Sequence, residues 1–136
     1  MLGFRALIGT EKEIRWSDDI WTLHSNESEA WAKIYNRMEK ILGHVGSNNA
    51  CVVFSGSGNF RKDLSASYKG NRVNVRKPLG YSSIVEMFFN PVSIWPGRRM
   101  DGLEGDDVMG ILAPKPGNAG AIIVSDDKDM RCIPGK

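Results

Sequence analysis

A chain of 136 residues with 41% hydrophobic side chains has the length and apolar content of one domain with an ordinary core. No apolar run approaches the roughly 20 residues of a membrane span, and Met1 to Thr10 lacks the hydrophobic stretch and cleavage site of a signal peptide; a soluble cytoplasmic protein with no membrane partner is expected. Two cysteines, Cys51 and Cys132, and two isolated histidines, His24 and His44, argue against a disulfide framework and a zinc site.

In chain order, Trp31, Ile34, Tyr35, Met38, Ile41 and Leu42 recur at helical spacing, and Asn26 with Glu29 reads as a capping pair, so a helix is predicted from Asn26 to about Gly43. The run from Ala50 to Phe54 reads as a buried strand leaving into Ser55-Gly56-Ser57-Gly58. A helix over Tyr81–Phe89 follows, with Tyr81, Ile84, Val85, Phe88 and Phe89 on one face and Asn90-Pro91 as its stop. Val92 to Trp95 is a candidate strand, residues 103–112 a third helix ended by Pro114 and Pro116, and Ala121 to Ser125 a last strand. This alternation predicts an α/β fold with a parallel central sheet covered by helices on both faces.

The net charge of +2 conceals a segregation. Residues 60–77 hold Arg61, Lys62, Lys69, Arg72, Arg76 and Lys77 against Asp63 alone, whereas residues 101–107 hold Asp101, Glu104, Asp106 and Asp107 with no cation. A polyanion on the first and a cation on the second is the simplest arrangement that uses both. Glu104 lies four residues before Val108 and Asp107 four before Ile111, which puts both carboxylates on the apolar face of the third helix, where uncompensated charge is costly. Acids that merely complement the helix dipole are the competing reading and suit Asp106 best. Asp126, Asp127 and Asp129 directly follow the last strand, where ligand sites of α/β sheets lie, though a solvated aspartate turn fits that position equally well. Oxygen donors without histidine or cysteine suit magnesium or manganese, and two such ions would activate water and stabilise the leaving oxygen of a phosphodiester.

Phe60 and Tyr68 interleave with the cations in a way that suits phosphate contacts and base stacking; a solvated basic surface helix is the plain alternative. The Ser55–Gly58 loop fits no nucleotide-binding fingerprint, since the third glycine would fall at Arg61 and no Gly-Lys-Ser/Thr occurs; it reads as a flexible connection.

Taken together and in order, Phe60-Arg61-Lys62-Asp63-Leu64, Tyr68-Lys69-Gly70-Asn71-Arg72, Arg76-Lys77-Pro78 with Gly80-Tyr81, Gly102-Leu103-Glu104-Gly105-Asp106-Asp107-Val108, Ser125-Asp126-Asp127-Lys128-Asp129-Met130 and Ile133-Pro134 carry a resemblance from Ala50 onward. The chain resembles the 5′→3′ exonuclease and flap endonuclease family, which includes phage exonucleases and the 5′ nuclease domain of bacterial DNA polymerase I. The resemblance implies a PIN-like, resolvase-like architecture with a basic helical arch over about residues 58–80. It implies that Glu104, Asp106, Asp107, Asp127 and Asp129 bind metal ions and serve catalysis, with two magnesium or manganese ions in the full-length form. Asp126 stands where relatives usually carry a small residue and is expected to be a bystander or a weak modulator. Arg61, Tyr68, Lys69 and Arg72, with Lys62, Arg76 and Lys77 in the same segment, are expected to grip DNA near a 5′ end, flap or duplex end.

Three departures accompany it. The chain is expected to begin just after the family's first strand with its metal-binding aspartate, so that residues 1–136 form a single partial, arch-bearing N-terminal domain. No aspartate stands near Ser55 or Gly56, where relatives have one, and Lys136 precedes the later acids and the helix–three-turn–helix of relatives. The expected function is a magnesium-dependent 5′→3′ deoxyribonuclease, acting as a monomer in the cytoplasm, or the host cytoplasm if phage-encoded. A non-catalytic nucleic-acid-binding remnant is the alternative, and a ribonuclease of PIN-like architecture a third possibility.

Overall fold

The structure, a computed structural model, describes residues 2–70, 76–118 and 120–133. Arg72 and Asn71 of the basic segment, and Pro134, lie outside the described residues. The chain divides into two compact units, one of residues 1–50 and 74–96, the other of residues 51–73 and 97–136.

The first unit is built on helix α2, Glu27–Val45. Asn26 caps its start by accepting the Glu29 N–H at 3.0 Å, as its spacing predicts, and Gly46 ends it in the left-handed conformation at φ 68°, donating its N–H to Leu42. The helix therefore runs two residues past Gly43, to the first position where a glycine meets the left-handed geometry of the cap. Ala30, Ile34, Met38 and Leu42 form its buried stripe, joined by Ile84 and Phe88 of α4 (Tyr81–Phe89), by Leu7 of α1 (Leu2–Ile8) and by Trp95. The Trp31 and Phe88 rings meet edge to face at 5.2 Å, and Tyr35 lies 5.2 Å from Trp95.

An antiparallel hairpin of β1 (Lys12–Arg15) and β2 (Trp21–His24), paired from Lys12↔His24 to Arg15↔Trp21, leaves most of its residues exposed. With a single aliphatic residue in Lys12-Glu13-Ile14-Arg15 there is no alternation for a sequence reading to detect. The chain between Asn90 and Trp95 turns rather than extends: Ser93 N–H bonds to the Asn90 carbonyl, and Val92 and Ile94 point outward while only Trp95 is buried. The strand predicted at Val92 to Trp95 is therefore replaced by this turn, and pairing begins only after Pro96.

Arg76 belongs to this unit. Its guanidinium forks onto Glu11 at 2.9 and 2.7 Å, while Glu11 also accepts the Leu79 N–H at 2.8 Å. Lys77 lies 5.5 Å over the Tyr81 ring. The Arg76 hydrogen bonds, with the Leu79 N–H, hold the Glu11 carboxyl at about 2, well below the usual range. A group whose folded pKa is depressed stabilises the fold above its unfolded pKa and loses that contribution as pH falls through the folded one. Thermal unfolding across acid pH is thus expected to show Glu11→Gln less stable than the parent at neutral pH, with the gap closing between about 4.5 and 2. A gap that stays constant over that range would remove the ion pair from the account.

The second unit holds the parallel pair β3 (Val52–Val53) and β4 (Gly97–Arg98), in register Val52↔Gly97 and Val53↔Arg98 and extended by Phe54 N–H to the Arg98 carbonyl at 2.8 Å. Helices α3 (Phe60–Leu64) and α5 (Gly105–Leu112) and a 3-10 helix, Lys128–Cys132, complete it; α5 packs beside β3, and its Val108 is fully buried. The α/β class holds, but among the described residues the parallel sheet is limited to β3 and β4. Ala121 to Ser125 forms no ladder there, and Ile122 and Val124 are about half exposed. No helix among the described residues is long and apolar enough to cross a membrane.

Candidate functional site

Within the second unit, two loops and two helix starts bring Arg61 and Lys69 of the basic segment together with the carboxylates. The Ser55–Gly58 loop is a clamped element, not the flexible connection its composition suggests. Gly56 N–H bonds to the Leu103 carbonyl at 2.9 Å, Gly102 N–H to Ser57 at 2.7 Å, Phe60 N–H to Gly102 at 3.0 Å, and Gly105 N–H to the Ser55 hydroxyl at 3.1 Å. Ser57 donates its hydroxyl and its N–H to Asp101 Oδ1 at 2.7 and 3.3 Å, and this holds the Asp101 carboxyl below its ordinary pKa. The loop thereby fixes the Met100–Glu104 segment, with Gly102 at φ 77°, so that Glu104 becomes the N-cap of α5.

Glu104 and Asp107 are well covered, their side chains 19% and 21% exposed, but not by the helix face expected of them: Glu104 is the extended N-cap before α5, and Ile111, whose face Asp107 shares by spacing, is itself 40% exposed. What covers them is the basic segment. Arg61 forks onto both Asp107 oxygens at 2.7 Å each, and Asp107 also accepts the Glu104 N–H at 3.0 Å. Lys69 Nζ spans both Glu104 oxygens at 2.7 and 2.8 Å, with the Tyr68 hydroxyl at 3.2 Å and Asn59 Nδ2 at 2.7 Å as further donors. The Arg61 hydrogen bonds hold Asp107 at about 2. Burial alone would raise Glu104, but the hydrogen bond and charge of Lys69, helped by Tyr68, outweigh it and keep the carboxyl low; both cations are held above their ordinary pKa in return.

Asp106 differs from both neighbours. Among the described residues its carboxylate has no hydrogen-bond or ion-pair partner, and its pKa is raised by burial first and then by the negative charges of Asp127 and Glu104. Asp127 caps the 3-10 helix, accepting the Asp129 N–H at 3.0 Å, and both side chains are exposed. Asp106 therefore lies within electrostatic reach of Glu104, Asp107 and Asp127, and Asp129 follows two residues after Asp127. Among the described residues no three such side chains converge closely enough to hold one cation in this conformation. The donors fit a hard divalent cation in kind: all are oxygens, and Asp106 is a partly covered carboxylate without an ion-pair partner among the described residues.

Lys69 and Tyr68 carry two further signs of a site under constraint. Lys69 adopts φ 53°, the left-handed region that a side chain enters at a cost of about 1 kcal/mol, and it is the one described non-glycine residue to do so. The Arg61 guanidinium lies 4.6 Å from the Phe60 centroid and 6.0 Å from that of Tyr68, and Lys69 Nζ lies 5.3 Å from the Tyr68 ring, so the cations line the aromatic faces offered for stacking. Lys62, beside Arg61 on α3, has no carboxylate partner among the described residues. Arg76 and Lys77 are held within the first unit by Glu11 and Tyr81.

Asn59 is the residue that sequence reasoning missed. Its Oδ1 accepts the Arg61 N–H at 3.0 Å and caps α3, while its Nδ2 holds Glu104, so one carboxamide orients an arch cation and an acid 45 positions later. Asn59 before Phe60-Arg61 is readable as an N-cap; the Glu104 bond depends on the loop clamp and has no local signal.

The family described as 5'-3' exonuclease, N-terminal resolvase-like domain, matches residues 3–134. The chain is similar to the exodeoxyribonuclease of Enterobacteria phage T3, at 34% identity over 143 aligned residues that cover 98% of this chain and 46% of that protein. It is similar to the exonuclease of Escherichia phage T7 at 33% identity with the same coverage. The chain thus spans about half the length of these relatives. No solved structure matches it.

Proposed function

The chain belongs to the 5'-3' exonuclease family, matching its N-terminal resolvase-like domain over nearly its whole length, and on that premise we propose that it is the acid-bearing part of a divalent-metal-dependent 5′→3′ deoxyribonuclease. The substrate is DNA near a 5′ end, flap or duplex end, and the protein works as a monomer in the cytoplasm, or in a host cytoplasm if phage-encoded. The observation that carries this reading is the carboxylate of Asp106, without a hydrogen-bond or ion-pair partner among the described residues, beside Glu104, Asp107 and Asp127, with Arg61 and Lys69 already directed at Asp107 and Glu104.

Glu104, Asp106, Asp107, Asp127 and Asp129 would hold magnesium or manganese, directly or through water. The ions, two in the full-length form, supply an activated water and charge stabilisation at the leaving oxygen. Arg61 and Lys69, with Lys62 and Arg72, neutralise backbone phosphates, and Tyr68 stacks on a base. Arg76 and Lys77 contribute phosphate contacts from the end of the same segment. Asn59 orients Arg61 and Glu104 toward each other. In this reading β3 and β4 belong to a parallel central sheet with helices on both faces, with Ala121 to Ser125 as a further strand in the full-length protein, and residues 1–136 are the arch-bearing part of one domain.

The second reading is a non-catalytic nucleic-acid-binding remnant. It is favoured by the dispersal of the described acids, no three of which converge, and by the absence of an aspartate at Ser55 or Gly56. The two readings separate in one assay of the full-length form. Magnesium-dependent release of 5′ nucleotides that is lost in Asp127→Ala supports the nuclease, whereas salt-dependent DNA binding with no release supports the remnant.

A further inference from the structure

Two of the acids of the cluster are closed off by the chain's own cations. Both oxygens of Asp107 face Arg61, and both oxygens of Glu104 face Lys69. Each of those carboxylate oxygens already accepts a charged donor, so a cation arriving there competes with Arg61 or Lys69, and the N–H groups engaged in this way are not offered to a phosphate. The two roles assigned to these four residues therefore compete in this arrangement, although each role belongs to the same reaction.

We infer that Arg61 and Lys69 are exchangeable internal counter-ions: a divalent cation taking Glu104 and Asp107 displaces them, a substrate phosphate takes them up, and cation and phosphate bind with positive coupling. This rests on the reading of the carboxylates as metal ligands given above. The charge balance sets the sign. With both pairs intact, two carboxylates and two cations sum to zero. A dication alone at the carboxylates leaves Arg61 and Lys69 as unpaired positive charges beside it, which is unfavourable until an anionic phosphate arrives. A phosphate alone must pull Arg61 and Lys69 from Asp107 and Glu104 and leave those acids, beside Asp106, without any cation. Each ligand removes the cost the other faces, and linkage makes the benefit equal in both directions.

The test is calorimetric titration of magnesium into the full-length protein without nucleic acid. Arg61→Gln and Lys69→Gln, each of which breaks a different pair, are expected to tighten magnesium about tenfold, while Lys62→Gln, which removes the same charge from α3 without breaking a pair, changes it less than about twofold. Anisotropy with a 5′-phosphorylated phosphorothioate oligonucleotide is expected to show magnesium tightening DNA about tenfold in the parent and hardly at all in the double variant. Should one single variant fail to fold, the other still decides. Equal magnesium affinity in parent, Arg61→Gln and Lys69→Gln, or equal tightening by Lys62→Gln, overturns the exchange and leaves the metal site standing. No magnesium binding by any of these proteins overturns the metal reading, and the exchange with it.

Discussion

Asp106→Asn in the full-length protein is expected to cut magnesium-dependent 5′ nucleotide release by roughly 100-fold or more while raising the thermal unfolding midpoint. The two effects have one cause. Asp106 is partly covered, lacks a partner among the described residues, and is pushed up by burial and by the charges of Asp127 and Glu104. A carboxyl whose folded pKa lies above its unfolded value is more expensive to ionise in the fold, so at neutral pH its charge opposes folding; the penalty fades as pH drops and the group protonates in both states. Asparagine keeps the shape and removes the charge. Asp107→Asn offers the contrast: it breaks the Arg61 fork and removes the acceptor for the Glu104 N–H, so its midpoint should fall as its activity falls. Loss of activity with gain of stability at Asp106, and loss of both at Asp107, would separate a metal-binding acid left unpaired in the fold from one that is ion-paired in it. A lower midpoint for Asp106→Asn would instead mean that this acid has a structural partner.

Gly56→Ala is expected to destabilise the second unit by about 3 kcal/mol and to weaken magnesium binding, although no metal ligand is changed. A Cβ at Gly56 would stand 2.0 Å from the Met100 carbonyl oxygen and 2.6 Å from its carbon, and backbone atoms cannot swing aside as a side-chain end can. Relieving the clash would part the Ser55–Gly58 loop from residues 100–105 and break the Gly56 to Leu103, Gly102 to Ser57 and Gly105 to Ser55 bonds together. Those bonds fix where Glu104 caps α5. Hydrogen exchange reads the effect directly: the amides of residues 102–105 should lose protection in the variant while those of α2 keep theirs. Unchanged protection at Gly102 and Gly105 would show that the loop tolerates a side chain and is not the brace described.

Several parts of this molecule were legible from local pattern. Helix α2, its Asn26 cap and helix α4 follow from apolar spacing and stop signals, because a helix that buries one stripe must repeat it every three or four residues. The coverage of Glu104 and Asp107 did not follow from that periodicity: Glu104 stands before the helix, and the basic segment covers both acids. Where pattern and packing parted, packing decided. Val92 and Ile94 have β-propensity yet sit exposed in a turn, and Ile122 and Val124 lie about half exposed, since propensity describes a fit to a pleated neighbour and none is present among the described residues.

The family was legible in residue order: a basic aromatic segment, a Gly-Leu-Glu-Gly-Asp-Asp turn and a Ser-Asp-Asp-Lys-Asp run survive as motifs because charge and side-chain type are properties of the residues themselves. Which cation answers which acid was decided only in three dimensions. Excess negative charge in a covered place demands compensation, but nothing in the order of residues says whether a bound ion or a neighbouring guanidinium supplies it. Arg61 reaches Asp107 across 46 positions, and Asn59 and Lys69 reach Glu104 across 45 and 35, only because the glycine loop draws the two segments together. Coulombic partnership depends on distance through space, and sequence separation carries no information about it.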